Sequence, residues 1–233
     1  MDNARKILAI ETSGRHGSVA ALWGRTDGGT QSLTQIAISG SQRTAQAFAP
    51  ALERLLREAN WRPADVQLVA VAVGPGSFTG LRIGVTTAKT FAYAVSADVI
   101  AVNTLDALAA QAPSDDGPLW TILDAQRQEL FAAKYRGRAS GAGQLGREIH
   151  IIGQDAWLTG LQPGDRVTGT ALNRLAHRLP AHVDVIASAR WQPMAEAIGS
   201  VGWHNYQAGQ RDDLWWLTPH YYRASAAEEK NPA

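Results

Sequence analysis

The chain has 233 residues, 45% of them hydrophobic and 18% charged, enough apolar material for one large domain or two modest ones and too much for a disordered chain. Its 22 Lys and Arg against 21 Asp and Glu leave a formal net charge of +1, so the basic excess by which a protein grips long nucleic acid on its own is missing. The absence of cysteine excludes disulfides, thiolate zinc sites and cysteine nucleophiles, and it suits a reducing cytoplasm.

"KILAIETS" (Lys6 to Ser13) reads as a buried strand, and its apolar run, stopped by Glu11, is too short for a signal-peptide core. "GRHG" is a turn, "SVAALWG" (Ser18 to Gly24) a second strand and "QSLTQIAIS" (Gln31 to Ser39) a third, so the chain opens with a β-meander. A helix from about Thr44 to Asn60 places Phe48, Leu52, Leu55, Leu56 and Ala59 on one face. Glu53 with Arg57, and Arg54 with Glu58, make i,i+4 pairs on its outer surface. Pro50 either starts or kinks this helix. "VQLVAVAVG" (Val66 to Gly74) suits a central strand covered on both faces. The stretch from Val66 to Leu81 is broken by Gly74, Pro75 and Gly76, so no membrane span is expected. After a long helix to about Ala97 come a short strand, "VIAVN", and a helix over Thr104 to Ala112 capped by Thr104.

"PSDDGP" (Pro113 to Pro118) is the strongest linker signal, and beyond it the grammar restarts. "LWTILDA" and "QELFAAKYRG" read as strands, followed by a Gly-rich loop to Gly146. "REIHIIG", "DRVTGT" and "HVDVIAS" are strand-like, and Ala171 to Leu179 and Pro193 to Gln207 helical. Two successive units, each opening with hairpin strands and closing with helices, point to a duplicated α/β architecture, although the halves share too little sequence to prove it.

The chemistry-bearing candidates are few. "VGPGSFTGLRIGVTTAKTFAYAV" (Val73 to Val95) has three glycines before a helix, but Leu81 and Arg82 stand where a Walker A loop needs Lys and Ser or Thr. It also fails the dinucleotide and nucleophile-elbow patterns, so its glycines read as mainly structural. Histidines 16, 150, 177, 182, 204 and 220 form no H-x-x-x-H or H-E-x-x-H pair, so no metal site is expected. The eight tryptophans read as core or interface anchors. Glu11 and Asp124 each end the first strand of a unit at a hairpin, where a carboxylate either meets a metal-bound nucleotide or caps a turn.

The long helix carries the strongest physical signal. Between Thr79 and Val95 its only charges are Arg82 and Lys89, and Gly80, Gly84, Ala88 and Ala92 recur every fourth residue as a smooth ridge. A helix apolar most of the way round needs cover on two sides. One side is the sheet. The other is expected to be the Thr44 to Asn60 helix together with its counterparts in a partner chain, the alternative being the chain's own C-terminal segment. Leaving two or three large side chains bare would forgo roughly 1.5–3 kcal/mol each.

"ILAIETS…GSVAALW", "VAVGPGSFTGLRIGVTTAKTFAYAV", "ILDAQRQELFAAKY" and "LTPHYYRAS" together resemble the TsaB (YeaZ) family, with matches in order from Ile7 to Ser225. "GPGSFTGLRIG" is the most specific of them. The resemblance implies an actin/Hsp70/sugar-kinase-like (ASKHA) α/β fold of two lobes, each with a β-sheet flanked by helices. The lobes would span 1–112 and 119–233, with the last segment, from about residue 210, free to pack back on the N-terminal lobe. It implies a noncatalytic cytoplasmic scaffold that dimerises with TsaD, which transfers the threonylcarbamoyl group to adenosine 37 of tRNA, and that meets TsaE, a P-loop ATPase. Contact with tRNA would be indirect, and the chain would be a homodimer when alone. The partner interface then falls on Phe48, Leu52, Leu55, Gly80, Leu81, Gly84, Val85, Ala88, Phe91 and Ala92.

A vestigial nucleotide site would comprise Glu11, Thr12, Ser13, Gly14 and Asp124. The second hairpin reads Asp124, Ala125, Gln126, Arg127, with no glycine to let a phosphate near the backbone. No cofactor is expected, with room left for weak ATP or ADP binding at an interface. Gln42, Arg43 and Thr44 stand where many relatives show a His before Ser or Thr, which weakens the case for a metal or polar contact there. The rival readings are an active ATP-dependent, small-molecule kinase-like enzyme of the same fold, with Glu11 and Asp124 holding Mg-ATP, and a metalloprotease, which the missing ligand pairs disfavour.

Overall fold

Two sheets of one plan organise the chain. In the first, β1 (Arg5–Glu11), β2 (Gly17–Gly24) and β3 (Thr30–Ile38) form the antiparallel meander, and β4 (Leu68–Gly74) and β5 (Asp98–Asn103) join in parallel, giving the order β3-β2-β1-β4-β5. In the second, β6 (Leu119–Gln126), β7 (Glu129–Tyr135) and β8 (His150–Gly153) are antiparallel, and β9 (Arg166–Thr168) and β10 (Asp184–Val185) join in parallel, giving β10-β9-β6-β7-β8. Read from the opposite edge, the second order is the first. The duplication that the sequence suggests but cannot prove is therefore visible as topology. The computed structural model describes residues 4–38, 44–114, 117–135 and 148–223, so Gln42, Arg43 and the Gly-rich loop up to Gly146 lie outside the described residues.

Among the described residues six helices connect and cover the strands: α1 (Thr44–Glu58), α2 (Phe78–Val95), α3 (Thr104–Gln111), α4 (Gln154–Thr159), α5 (Leu172–Leu175) and α6 (Ala195–Gln207). Every residue of β4 is buried, as its uninterrupted apolar run requires. Side chains alternate across the first sheet. Leu8, Ile10, Val69 and Val71 face Phe48 and Leu55 of α1 and Val85, Ala88 and Ala92 of α2. Ile7, Ala9, Leu68 and Ala70 face Ile198, Val201 and Trp203 of α6. Burying Ile198 and Val201 stabilises this face by roughly 1.5–3 kcal/mol each.

The helices cross over between the sheets. α3 follows the first sheet, yet Leu105, Leu108 and Ala109 pack with Leu119, Leu123, Phe131 and Tyr135 of the second. α6 follows the second sheet and covers the first. A division at 112/119 therefore separates the two sheets but not the two cores, because an apolar stripe records that a helix is covered and not by which sheet. The other face of the second sheet packs on Trp157 of α4 and on Leu172 and Leu175 of α5.

Local details differ from the sequence reading in three places. Pro50 lies inside α1 and does not start it, and both expected ion pairs form on the helix, Arg54 with Glu58 at 2.7 Å and Arg57 with Glu53 at 3.7 Å. α3 is capped by Asn103, whose side chain accepts from the Leu105 N–H at 2.9 Å, and Thr104 is its first helical residue. The last residue of β5 thus doubles as the cap. The helical stretch from Ala171 breaks after Leu175 into a 3-10 turn, Ala176–Arg178.

After α6 the chain returns as a strap along the first sheet and α2. Asp212 bridges to Val99 and accepts from the Ala101 N–H at 2.9 Å. Lys89 of α2 donates to the carbonyls of Trp215 at 2.9 Å and Leu217 at 3.1 Å. Arg82 donates to the Tyr221 hydroxyl at 2.9 Å, and the His220 N–H to the Val73 carbonyl at 2.7 Å. This corrects the expectation that the second cover of α2 comes from α1 and a partner alone. One flank is covered from within, and the two charges of the helix are spent on that cover.

Candidate functional site

Equivalent loops of the two halves face each other across a cavity of about 1060 Å³. The β1–β2 turn (residues 13–16) and the β4–α2 loop (75–79) wall one side. The β6–β7 turn (123–127) and α5, with the residues just before it, wall the other, and the strap (220–223) closes the edge. Gly74 at the end of β4 and Gly169 after β9 occupy matching places with φ of +125° and +123°. At Gly169 a Cβ would lie 2.0 Å from the Ile122 carbonyl oxygen, and at Gly74 it would lie 2.7 Å from that of His220, so both glycines are steric requirements.

The glycines of "GPGSFTGLRIG" have a structural use. The Ser77 side chain caps α2 by accepting from the Gly80 N–H, and the Ser77 N–H donates to the Ser13 carbonyl at 2.6 Å. Thr12 Oγ1 donates to the Gly80 carbonyl at 2.8 Å. A Cβ at Gly80 would stand 2.0 Å from the Thr12 carbonyl oxygen, and one at Gly84 2.2 Å from Thr12 Oγ1. The glycine ridge thus lets the end of β1 lie directly on α2.

Of the five residues of the expected nucleotide site, Ser13, Gly14 and Asp124 line the cavity, whereas Glu11 and Thr12 are buried behind it. Glu11 Oε1 accepts from the Ser13 N–H at 2.6 Å and from the Ser13 hydroxyl, while Oε2 has no hydrogen-bond partner. Burial pushes the Glu11 carboxyl up to about 7 against the lowering effect of the two Ser13 hydrogen bonds. Asp124 accepts from the Gln126 N–H at 2.9 Å and pairs with Arg174 of α5. Gln126, Arg127 and Gln128 all hold positive φ, at 63°, 49° and 61°. Side chains therefore stand at the turn where glycines would admit a phosphate. The Asp124–Arg174 pair and the side chains at positive φ thus close the β6–β7 turn. Sequence reasoning passes over Arg174 and the strap residues Tyr221, Tyr222 and Arg223. Their only signal is the closing "LTPHYYR", which has no chemical pattern of its own. Among the described residues no group of three or more His, Cys, Asp or Glu side chains is placed to hold a metal, and no helix is long and apolar enough to cross a membrane.

The residues expected to meet a partner are mostly interior. Phe48, Leu55, Leu81, Val85, Ala88 and Ala92 are buried in the chain's own core, and Gly80 and Gly84 lie under Thr12. Only Leu52 and Phe91 of that set are part-exposed. The structure places them on the inner face and edges of their helices. The outer face of α2 consists instead of Ile83, Thr86, Thr87, Thr90, Tyr93 and Ala94, all exposed or part-exposed. Thr87 Oγ1 donates to the Ile83 carbonyl at 2.8 Å and Thr90 Oγ1 to that of Thr86 at 2.9 Å, so these hydroxyls are satisfied within the helix.

Duplicated five-stranded sheets, exchanged covering helices and a cleft between equivalent loops define a class: the actin/Hsp70/sugar-kinase-like fold. Residues 38–154 match the family model of TsaD, tRNA N6-adenosine threonylcarbamoyltransferase. The tRNA threonylcarbamoyladenosine biosynthesis protein TsaB of Bacillus subtilis is 31% identical over 235 residues, covering 96% of each chain. TsaB of Escherichia coli is 30% identical over 138 residues, 58% of this chain and 57% of that one. The solved structure of YeaZ from Pseudomonas aeruginosa is similar with a TM-score of 0.69 at 25% identity, over 93% of this chain and 99% of that chain. The chain belongs to the TsaB (YeaZ) family of tRNA threonylcarbamoyladenosine biosynthesis proteins.

Proposed function

We propose that the chain is a noncatalytic docking subunit. It pairs with a TsaD-type subunit through the outer face of α2, and the pair transfers the threonylcarbamoyl group to adenosine 37 of tRNA in the cytoplasm, with a TsaE-type ATPase joining the complex. Without a TsaD-type subunit, the same face pairs two copies of the chain. The observation that supports this is the outer face of α2. From Ile83 to Ala94 the only charged side chain is Lys89, and it is turned onto the strap. A helix that stays in water carries charges on that face, whereas one of Ile83, Tyr93 and threonines, with the Thr87 and Thr90 hydroxyls satisfied within the helix, loses little on being covered. The test is co-expression with a TsaD-type subunit, size-exclusion chromatography and mass spectrometry of threonylcarbamoyladenosine on tRNA. Co-elution and modification that needs both chains are expected. A TsaD-type subunit that elutes apart and is equally active without this chain would overturn the reading.

The interlobe cleft favours a second reading, an ATP-dependent enzyme of the same fold. Against it stand the Asp124–Arg174 pair and the burial of Glu11 behind Ser13. ATP turnover by the purified chain alone, lost in Glu11→Ala, would favour that reading over docking.

A further inference from the structure

The outer face of α2 continues beyond the helix. Tyr93, 66% exposed, lies one turn past Thr90, and its ring meets that of Trp215 edge-on with centroids 5.6 Å apart. Trp215 is 68% exposed and Trp216 83%. An indole buries about 150–250 Å² when covered, so two of them displayed side by side are a large apolar surface left in water. The remaining exposed large hydrophobics are scattered, apart from Phe78 and Tyr221, which stack on each other.

The tryptophans are held in place. Asp213 Oδ1 accepts from the backbone N–H of Trp215 at 2.7 Å and of Trp216 at 3.3 Å, and the Leu217 N–H donates to the Asp213 carbonyl at 2.9 Å. Leu217 is buried in the core under α2, and Lys89 grips the Trp215 carbonyl. A turn fixed at both ends, with the Trp215 ring against Tyr93, holds the backbone from which both indoles project and so lowers the entropy cost of docking.

We propose that Trp215 and Trp216, together with Tyr93, form the aromatic anchor that holds the TsaD-type subunit. This rests on the docking reading of α2 given above. Continuity selects the occupant, since Tyr93 extends the stripe of Ile83, Thr86 and Thr90. Charge narrows it further. Asp212 and Asp213 adjoin the indoles in the strap, and the nearby Arg211 is stacked on Tyr206 at 3.5 Å, so among the described residues the patch lacks the free basic rim that an anionic lipid surface or an RNA backbone would call for. The partner surface that fits is an uncharged helical face with an apolar recess and a hydrogen-bond acceptor within reach of an indole N–H. The TsaD family model matches residues 38–154 of this chain, α2 included, and the α2-equivalent helix of a TsaD-type subunit is the face proposed to receive the anchor.

The test is isothermal titration calorimetry of the full chain against a purified TsaD-type subunit, for the wild type, Trp216→Ala, Trp215→Ala and Thr86→Arg, with circular dichroism of each. Trp216→Ala is expected to keep the wild-type spectrum and to weaken binding by about thirtyfold or more, the range of an interface hot spot. Trp216→Phe is expected to fall between it and the wild type. If Trp215→Ala, which loses its ring contact with Tyr93, fails to fold, the Trp216 variants carry the test alone. Thr86→Arg should abolish binding. If Thr86→Arg abolishes binding while the tryptophan variants bind within about threefold of the wild type, the anchor is overturned and the docking reading stands. If all variants bind like the wild type, both are overturned. If the tryptophan variants lose only self-association of the chain, or only adsorption to anionic vesicles, the anchor belongs to that occupant and the proposal is overturned.

Discussion

Replacing Glu11 by Gln should make the chain more stable at alkaline pH and leave it little changed in mild acid. The Glu11 side chain is fully buried, one carboxylate oxygen accepts two hydrogen bonds from Ser13, and the other has no partner. Burial raises its pKa from 4.5 to about 7. A raised carboxyl pKa means the folded chain binds the proton more tightly than the unfolded one. The stability this gives is full below the unfolded value and is lost as pH rises toward 7. A shift of that size corresponds to about 3 kcal/mol in all, most of which is lost between pH 5 and pH 8. Gln keeps the acceptor that serves Ser13 and cannot ionise. Urea unfolding of both proteins at the two pH values isolates the effect, because all other titrating groups are shared. The wild type should fall by about 2–3 kcal/mol relative to Glu11→Gln on going from pH 5 to pH 8, a large part of the roughly 5–15 kcal/mol that holds a domain together. A gap between the two proteins that does not change with pH would refute the reasoning and show that the carboxylate is solvated or paired.

Gly→Ala inside a helix ordinarily gains about 1 kcal/mol. At Gly80, where the new Cβ would stand 2.0 Å from the Thr12 carbonyl oxygen, the sign should reverse to a loss of about 1–3 kcal/mol in thermal or chemical denaturation. Gly169→Ala should also destabilise, since it adds a left-handed φ of +123° to a 2.0 Å approach to the Ile122 carbonyl; an unchanged melting temperature in either variant would contradict the close packing. Lys89→Met should release the strap at a cost of about 1–2 kcal/mol, and hydrogen exchange should show faster amides over residues 217–220 while β4 stays protected.

The strands and the first helix were legible because their signals are local. The run in β4 and the i,i+4 charges on α1 depend on neighbours a few residues away, and the structure has them where the sequence puts them. Long-range cover was not legible. The stripe of Ile198 and Val201 announces a buried face, but nothing in it says that the first sheet, nearly 100 residues upstream, does the burying. Arg82 and Lys89 stand seven residues apart and look like a wet face, and only the returning strap turns them into donors for Tyr221, Trp215 and Leu217. The glycine ridge reads equally well as a seam for a second chain or for the chain's own backbone. Thr12, with its carbonyl and hydroxyl set against Gly80 and Gly84, decides for the latter. The docking face proposed above is accordingly the threonine face opposite the small-residue ridge.

That face can be probed directly, because the chain has no cysteine and any introduced thiol is the sole reporter. Thr90→Cys on the outer face of α2 and Glu196→Cys at an exposed position of α6 would be reacted with a maleimide, alone and with a TsaD-type subunit in excess. If the outer face of α2 is the docking surface, the thiol at position 90 reacts at least about tenfold more slowly in the complex while the one at 196 is unaffected, as expected for a group in the dry centre of an interface. Equal reactivity at position 90 with and without the bound partner would contradict the account.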